Sequence, residues 1–476
     1  MKGEKSIITL KSSNKYLNAS LIYILANAIG QGTTMLANSF FTRYMSQADY
    51  GSYSNYYSFV SLLVPFAGMN LYIALTNAYI DYKSTIYKYR SSTLLLSLFG
   101  LVITGIIMAL IKAFVGLSLP WICVLLTVLH AYGFFLVNYY IYSMNMENNY
   151  IAKGLMLSIP NVLQVLFAVI ALVICNTYIS RAIGGSFAIL SCGLFATFLI
   201  LKKSPPVINK EYWSYALKIS LPAIIGSVSG LLMQQCDKVM ITSICGAEVN
   251  AVYSLVYYTG YILYAVQQAT SGGWQVWLYN TLSKKKNDSI PVVQKWYMFA
   301  MLVMATGLYM IAPEFVKILS PSNYWHFEYI VPFIIGSYFM IMYSVLMSVA
   351  EYNKKTGVVS FIVSMAAVLN VTLNYLLIPI FGGVGAAYTS VASYVFIFVV
   401  SVIYLKMVNQ YFFNSIVFLS NTAVVIMLGI VFYFVRNLIV LRYIFFLAIL
   451  LVEGIYFFLK LDEIKILFGG RILADK

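Results

Sequence analysis

Asp237 and Lys238 stand side by side in a long apolar run, and Arg43 and Arg181 lie at the ends of two others. A carboxylate in such a place can hold a proton or a small cation. An ammonium or guanidinium can hold an oxyanion, the guanidinium through two oxygens at once. On a helix Asp237 and Lys238 diverge by about 100°, so they need not neutralise each other; one can face a lumen and the other the protein interior. The competing reading for all four is an interfacial anchor, with the stem in an apolar layer and the head in water. Amides also interrupt apolar runs: Gln31, Asn38, Gln234 and Gln268 are candidates for binding a hydroxyl-rich ligand, and Gln235, Gln267, Gln275, Asn370 and Asn374 are of the same kind. Hydrogen bonding between helices is their alternative role. His130 is read as a neutral histidine rather than a proton carrier.

The elements that must position these residues follow from composition. Of 476 residues, 61% are hydrophobic and 9% charged, far below the roughly 25% charged residues of soluble domains. Apolar runs fall near 17–38, 53–79, 93–114, 119–142, 155–175, 182–201, 217–240, 253–278, 294–312, 329–350, 357–378, 384–405, 413–434 and 441–460. At about 20 residues per bilayer-spanning helix, the chain is expected to be an all-α polytopic membrane protein of about 14 spans. A charge kept at mid-membrane costs roughly 2.5–3.5 kcal/mol on insertion scales, which gives the four charged candidates their weight.

The net charge of +15 does not point to nucleic acid, because the basic residues lie between the apolar runs. With the N-terminus cytoplasmic, the outer segments hold only Arg43, Lys112, Arg181, Lys238, Lys317, Arg436 and Arg442 of the 30 basic residues. The positive-inside rule then places both termini in the cytoplasm. Lys284, Lys285 and Lys286 serve this topology signal. Ala26-Asn27-Ala28 has the shape of a signal-peptide cleavage site, but the apolar runs continue to the C-terminus and a retained first span is expected. Cys123, Cys175, Cys192, Cys236 and Cys245 show neither a disulfide framework nor metal-ligand spacing.

A polar interruption from Lys202 to Glu211 divides the chain. Shifted by 200 residues, Leu17, Ser20, Leu21, Ile24, Gly30, Thr42, Tyr53, Ser54, Tyr57 and Leu63 meet identical residues. At an offset of 206, Val162-Leu163-Gln164-Val165 meets Val368-Leu369-Asn370-Val371. Two parallel six-span repeats are expected, 1–210 and 211–410, with 411–476 adding two spans and a cytoplasmic tail. An even number of spans per repeat puts the pseudo-twofold axis along the membrane normal with a cavity between the lobes, an arrangement found in transporters.

Three segments now carry a resemblance: Thr42-Arg43-Tyr44-Met45 through Asp49-Tyr50-Gly51-Ser52-Tyr53-Ser54; Asp237-Lys238-Val239-Met240 through Val252-Tyr253-Ser254; and Asn370 through Asn374 to Pro379-Ile380-Phe381-Gly382-Gly383-Val384-Gly385-Ala386-Ala387-Tyr388. Together the chain resembles the polysaccharide-transporter branch of the multidrug/oligosaccharidyl-lipid/polysaccharide exporter superfamily, the O-antigen and capsule repeat-unit flippases. The resemblance implies two six-helix lobes, two extra helices and movement of an undecaprenyl-pyrophosphate-linked oligosaccharide to the outer leaflet of a bacterial inner membrane. It also implies membrane lipids, glycosyltransferases and a polysaccharide polymerase as partners. Lipid II flippases carry an arginine part-way down span one, where this chain has Ala37-Asn38. Asn250-Ala251 stands where the first repeat has Tyr50-Gly51.

On this reading the basic candidates would meet pyrophosphate and the amides would meet sugar hydroxyls. Gly382-Gly383-x-Gly385 lacks the lysine and hydroxyl of a phosphate loop and reads as a turn or tight packing. No cofactor is expected; H+ or Na+ coupling, or the membrane potential, would supply energy. At 100 mV each charge moved is worth roughly 2.3 kcal/mol. The rival reading is a cation-coupled drug or metabolite antiporter, for which span one lacks the carboxylate and only Asp237 qualifies. A membrane polymerase or glycosyltransferase is disfavoured by the short loops, so no enzyme activity is expected.

Overall fold

The computed structural model describes residues 22, 25–117, 119–147 and 149–460; the basic residues Lys2, Lys5, Lys11 and Lys15 and the tail residues Lys465, Arg471 and Lys476 lie outside them. The described residues are helical, with no strand. The first helix, α1, covers residues 25–44. It is followed by α2 Gln47–Ala67, α3 Ala74–Asp81, α4 Ile86–Val115, α5 Trp121–Met146, α6 Tyr150–Ile174, α7 Tyr178–Leu201, α8 Lys210–Cys245, α9 Ala247–Ser283, α10 Ile290–Leu319, α11 Ile330–Tyr352, α12 Thr356–Met407, α13 Ser415–Val435 and α14 Ile439–Leu459. The protein is an all-α, multi-pass membrane protein.

Local chemistry sets several boundaries. Side-chain oxygens of Ser46, Asn149, Thr177, Asn209 and Asn414 accept from the first free backbone N–H groups of α2, α6, α7, α8 and α13. The apolar run 53–79 is two helices rather than one. After Pro65, Met69 and Asn70 take φ of 49° and 55°, and the buried Asn70 side chain donates to Ser227 Oγ at 3.0 Å, which fixes the break. At 52 residues α12 would be about 78 Å long, more than twice a bilayer's hydrocarbon core. It is a hairpin. Gly382, with φ 59° and ψ −144°, breaks the helix, and Asn374 and Thr389, placed evenly about that glycine, hydrogen-bond across the turn. Only a residue without Cβ adopts that backbone readily. The two α12 segments match the separate runs 357–378 and 384–405.

Two compact units emerge from the packing. The first runs through Leu255 and takes in Leu319–Pro321 and Gly357–Thr389. Here α5 packs on α6 and α7, and α2 on α5 and α8. Its core is partly polar: His130 bonds Tyr56 and Ser186 through Nδ1 at 3.0 and 3.1 Å and meets Gln164 through Nε2 at 3.3 Å. Arg90 and Lys203 converge on Glu147, joining α4, the end of α5 and the segment after α7.

The second unit comprises Val256–Ile318, Ser322–Thr356 and the chain from Ser390. Gln267 and Trp274 of α9 donate to Ser344 and Ser348 of α11 at 2.8 and 3.0 Å. Helix α14 lies antiparallel to α10, fastened at one end by Arg442 to Glu314 and at the other by Thr306 donating to Glu453 at 2.9 Å. Two such points along one helix pair hold α14 to α10.

Candidate functional site

Among the described residues, ten helices are long and apolar enough to cross a membrane. Helices α2 and α9, at 21 and 37 residues, are long enough but not among the ten, because tyrosine, serine and glutamine crowd their sequences. The 200-residue offset of the sequence aligns residues of one with residues of the other. Polar side chains on a crossing helix must face protein or a wet cavity, so these two helices mark where polar chemistry is concentrated.

In the first unit α2 meets the start of α9. Ser54 and Ser254 hydroxyls lie 2.6 Å apart, and Asn250 Nδ2 donates to Gly51 O at 2.9 Å. A Cβ on Gly51 would come within 1.7 Å of Ala247 O, so glycine is required for this crossing. Four residues along α2, the buried Ser58 donates to Gln235 Oε1 at 3.1 Å, and Lys238 Nζ donates to the same oxygen at 3.2 Å. Lys238 is half-buried within membrane-spanning α8, with Gln234 half-buried beside Gln235.

Asp237 points elsewhere and is 3% exposed. Tyr253 donates to its Oδ2 at 2.5 Å and Asn374 Nδ2 to its Oδ1 at 2.8 Å; Asn374 also donates to Asn370 Oδ1 at 3.1 Å and accepts from Thr389. The adjacent Asp and Lys thus serve different neighbourhoods, as helical geometry allows. The groups turned on Asp237 are the Tyr253 hydroxyl and the Asn374 amide N–H, and Thr389 also donates to Ala386 O at 2.8 Å. A buried carboxylate in such a network can take up a proton or a small cation. Among the described residues Asn370 Nδ2 has no hydrogen-bond partner.

The two arginines differ. Arg181 is buried on α7, its guanidinium 3.6 Å from the Phe41 ring centroid and 3.7 Å from that of Tyr53, with Met45 Sδ accepting at 3.7 Å. Its position is a cation–π sandwich that ties α7 to α1 and α2. Arg43 is exposed and donates to Ser39 O one turn back at 2.8 Å. Asn38 is buried, accepts from Tyr50 OH at 3.1 Å and keeps an unpaired Nδ2 among the described residues. Gln31 is exposed on α1. Gln268, exposed on α9 in the second unit, donates to Tyr264 OH one turn back.

Sequence reasoning passed over Ser58 and Thr389, which complete these two groups. Ser58 sits four residues after the repeat identity Ser54, and Thr389 mirrors Asn374 about the glycine turn; both spacings were signals.

Comparison with known proteins agrees with this architecture. Solved structures share the fold: a lipid II flippase MurJ in an inward closed conformation has a TM-score of 0.72 at 15% identity, covering 94% of this chain and 100% of that one. An inward-facing multidrug resistance MATE family transporter of the MOP superfamily has a TM-score of 0.59 at 12% identity, covering 82% and 99%. No curated protein sequence matches the chain. The model of the family described as polysaccharide biosynthesis protein matches residues 17–269, from α1 into the polar stretch of α9. That match takes in both halves of the Ser54–Ser254 contact and the Asp237-Lys238 pair, and it covers more than half of the sequence: the chain belongs to the polysaccharide biosynthesis protein family.

Proposed function

We propose that the protein flips an undecaprenyl-pyrophosphate-linked oligosaccharide repeat unit from the cytoplasmic to the outer leaflet of the bacterial inner membrane by alternating access, for synthesis of a surface polysaccharide. The observation that carries this reading is Lys238: an ammonium kept half-buried inside a membrane-spanning helix, fixed by Gln235 beside the serine-bearing face of α2. An ammonium held at that depth beside hydroxyl and amide groups suits an anionic headgroup, and pyrophosphate is one. Family membership and a fold shared with flippases support the same assignment. Glycosyltransferases would build the lipid-linked substrate and a polymerase would consume it on the outer face. Both termini are placed in the cytoplasm on the distribution of basic residues.

For the energy source we propose a cation or proton held at the Asp237 carboxylate with Asn370, Asn374 and Thr389. The same group keeps the antiporter reading in play, because a buried carboxylate is what such exchange requires. Substrate chemistry separates the two. In cells, Lys238→Ala should reduce surface glycan and raise lipid-linked oligosaccharide in the cytoplasmic leaflet with protein level unchanged, and Lys238→Arg should restore part of the export. Equal export by wild type and Lys238→Ala would remove Lys238 from the site.

A further inference from the structure

The open face of α9 in the second unit carries Gln268 and Gln275 in a longer stripe whose pattern the sequence reading did not resolve. Tyr257, Tyr261, Tyr264, Gln268, Ser271 and Gln275 recur at intervals of four and three, and at 100° per residue they share a sector about 80° wide. The neighbouring face is occupied, since Gln267 and Trp274 bind α11. The stripe is half-buried to exposed along its whole length. Beside it stand the small residues Ala265, Ala269 and Gly272, and a Cβ on Gly272 would meet no atom within 4 Å. There is room next to the rings and amides.

We infer that this stripe is a saccharide-binding track, on which the tyrosine rings cover sugar faces and Gln268, Ser271 and Gln275 exchange hydrogen bonds with sugar hydroxyls; the inference rests on the proposed transport of a lipid-linked oligosaccharide. Lipid cannot be the neighbour of this face, because amides and hydroxyls turned into hydrocarbon would lose their water. The charge pattern selects a neutral ligand over phosphate. No basic residue belongs to the stripe, and Gln275 at its end donates to the Glu351 carboxylate at 3.2 Å. A carboxylate repels pyrophosphate but accepts from hydroxyl groups. The existing hydrogen bond between Gln268 and Tyr264 holds an amide against a ring, and the Tyr257 ring is set edge-on to Phe333 at 5.3 Å, so the track is pre-organised. Aromatic rings and amides together match a sugar, which has apolar C–H faces and a polar edge.

The test compares binding of two lipids to the full-length protein in nanodiscs: undecaprenyl pyrophosphate, and the same lipid bearing the oligosaccharide, extracted from the source bacterium. Wild type should bind the sugar-bearing lipid more tightly. Tyr261→Ala combined with Gln268→Ala should weaken that binding about tenfold while leaving affinity for the sugarless lipid unchanged. Gln268→Ala alone, at an exposed position that tolerates truncation, should cost about threefold. Tyr261→Phe keeps the ring and should retain most of the affinity. Equal losses for both lipids, no loss for either, or a wild type indifferent to the sugar would overturn the track. A wild type that binds neither lipid would overturn the flippase reading and the track with it.

Discussion

Ser54 and Ser254 are 200 residues apart in sequence and 2.6 Å apart in space. The repeat offset is the same 200, so each serine touches its own counterpart. The hydrogen bond joins two positions that the 200-residue offset of the sequence aligns, one on α2 and one at the start of α9. The asymmetry beside it is equally informative: Gly51 lets the backbones cross, and Asn250, which replaces the repeat's tyrosine, uses its side chain to bind the Gly51 carbonyl.

Substitution at this crossing should therefore be unequal. Gly51→Ala must displace a Cβ from the Ala247 carbonyl and should sharply lower the thermal unfolding midpoint in detergent. Ser54→Ala removes one interhelical hydrogen bond, worth about 0.6 kcal/mol in membrane proteins, and should shift it little. Similar melting for Gly51→Ala and wild type would show that the helices separate at this point.

Arg181→Lys should lose stability even though the charge is kept. A guanidinium plane can stack on Phe41 and Tyr53 together, whereas an ammonium cannot, and the loss should be about 1–2 kcal/mol. Arg43→Lys should melt as wild type does, because Arg43 is exposed and lysine keeps its charge. A transport defect in Arg181→Lys far exceeding its loss of stability would assign Arg181 to the ligand instead.

Asp237→Asn preserves the shape of the buried group and removes its charge. Transport by the wild type should slow when the Na+ or H+ gradient that drives it is collapsed, and Asp237→Asn should be slow and indifferent to that gradient. Full activity of Asp237→Asn with its gradient dependence intact would rule out the carboxylate as the coupling site.

Glu147, beyond the end of α5, offers a pH test outside the spans. Burial pushes its carboxyl upward, but hydrogen bonding and attraction from Arg90 and then Lys203 outweigh it, and the net shift is below the ordinary value of 4.5. A depressed carboxylate contributes stability that is complete above its unfolded value and lost as pH falls through the folded one. The melting midpoint should hold constant from neutral pH to about 5 and drop below it, and Glu147→Gln should flatten that drop. An unchanged acid response in Glu147→Gln would show that other carboxylates dominate.

Much of this fold was legible because lipid imposes a simple rule on sequence: long apolar runs are helices, and polar residues inside them need a partner. The glycine turn in α12 could be read from Gly382-Gly383, and the 200-residue identities singled out Ser54 and Ser254, which meet. The break between α2 and α3 could not be placed from Pro65, Gly68 and Asn70 alone, because it depends on Asn70 finding Ser227 from a distant helix. Sequence could likewise let Asp237 and Lys238 diverge on a helix but not say what each one meets. Their division of labour comes from Tyr253, Asn374 and Gln235, which reach them only after folding.

The most direct test of the account is transport itself. Proteoliposomes holding the purified protein and lipid-linked oligosaccharide from the source bacterium should render sugar from the inner leaflet accessible to a membrane-impermeant oxidant outside, at least tenfold faster than protein-free liposomes, and Lys238→Ala should fall back toward the protein-free rate. A wild-type rate equal to that of empty liposomes, under an imposed potential and a cation gradient, would contradict the flippase assignment.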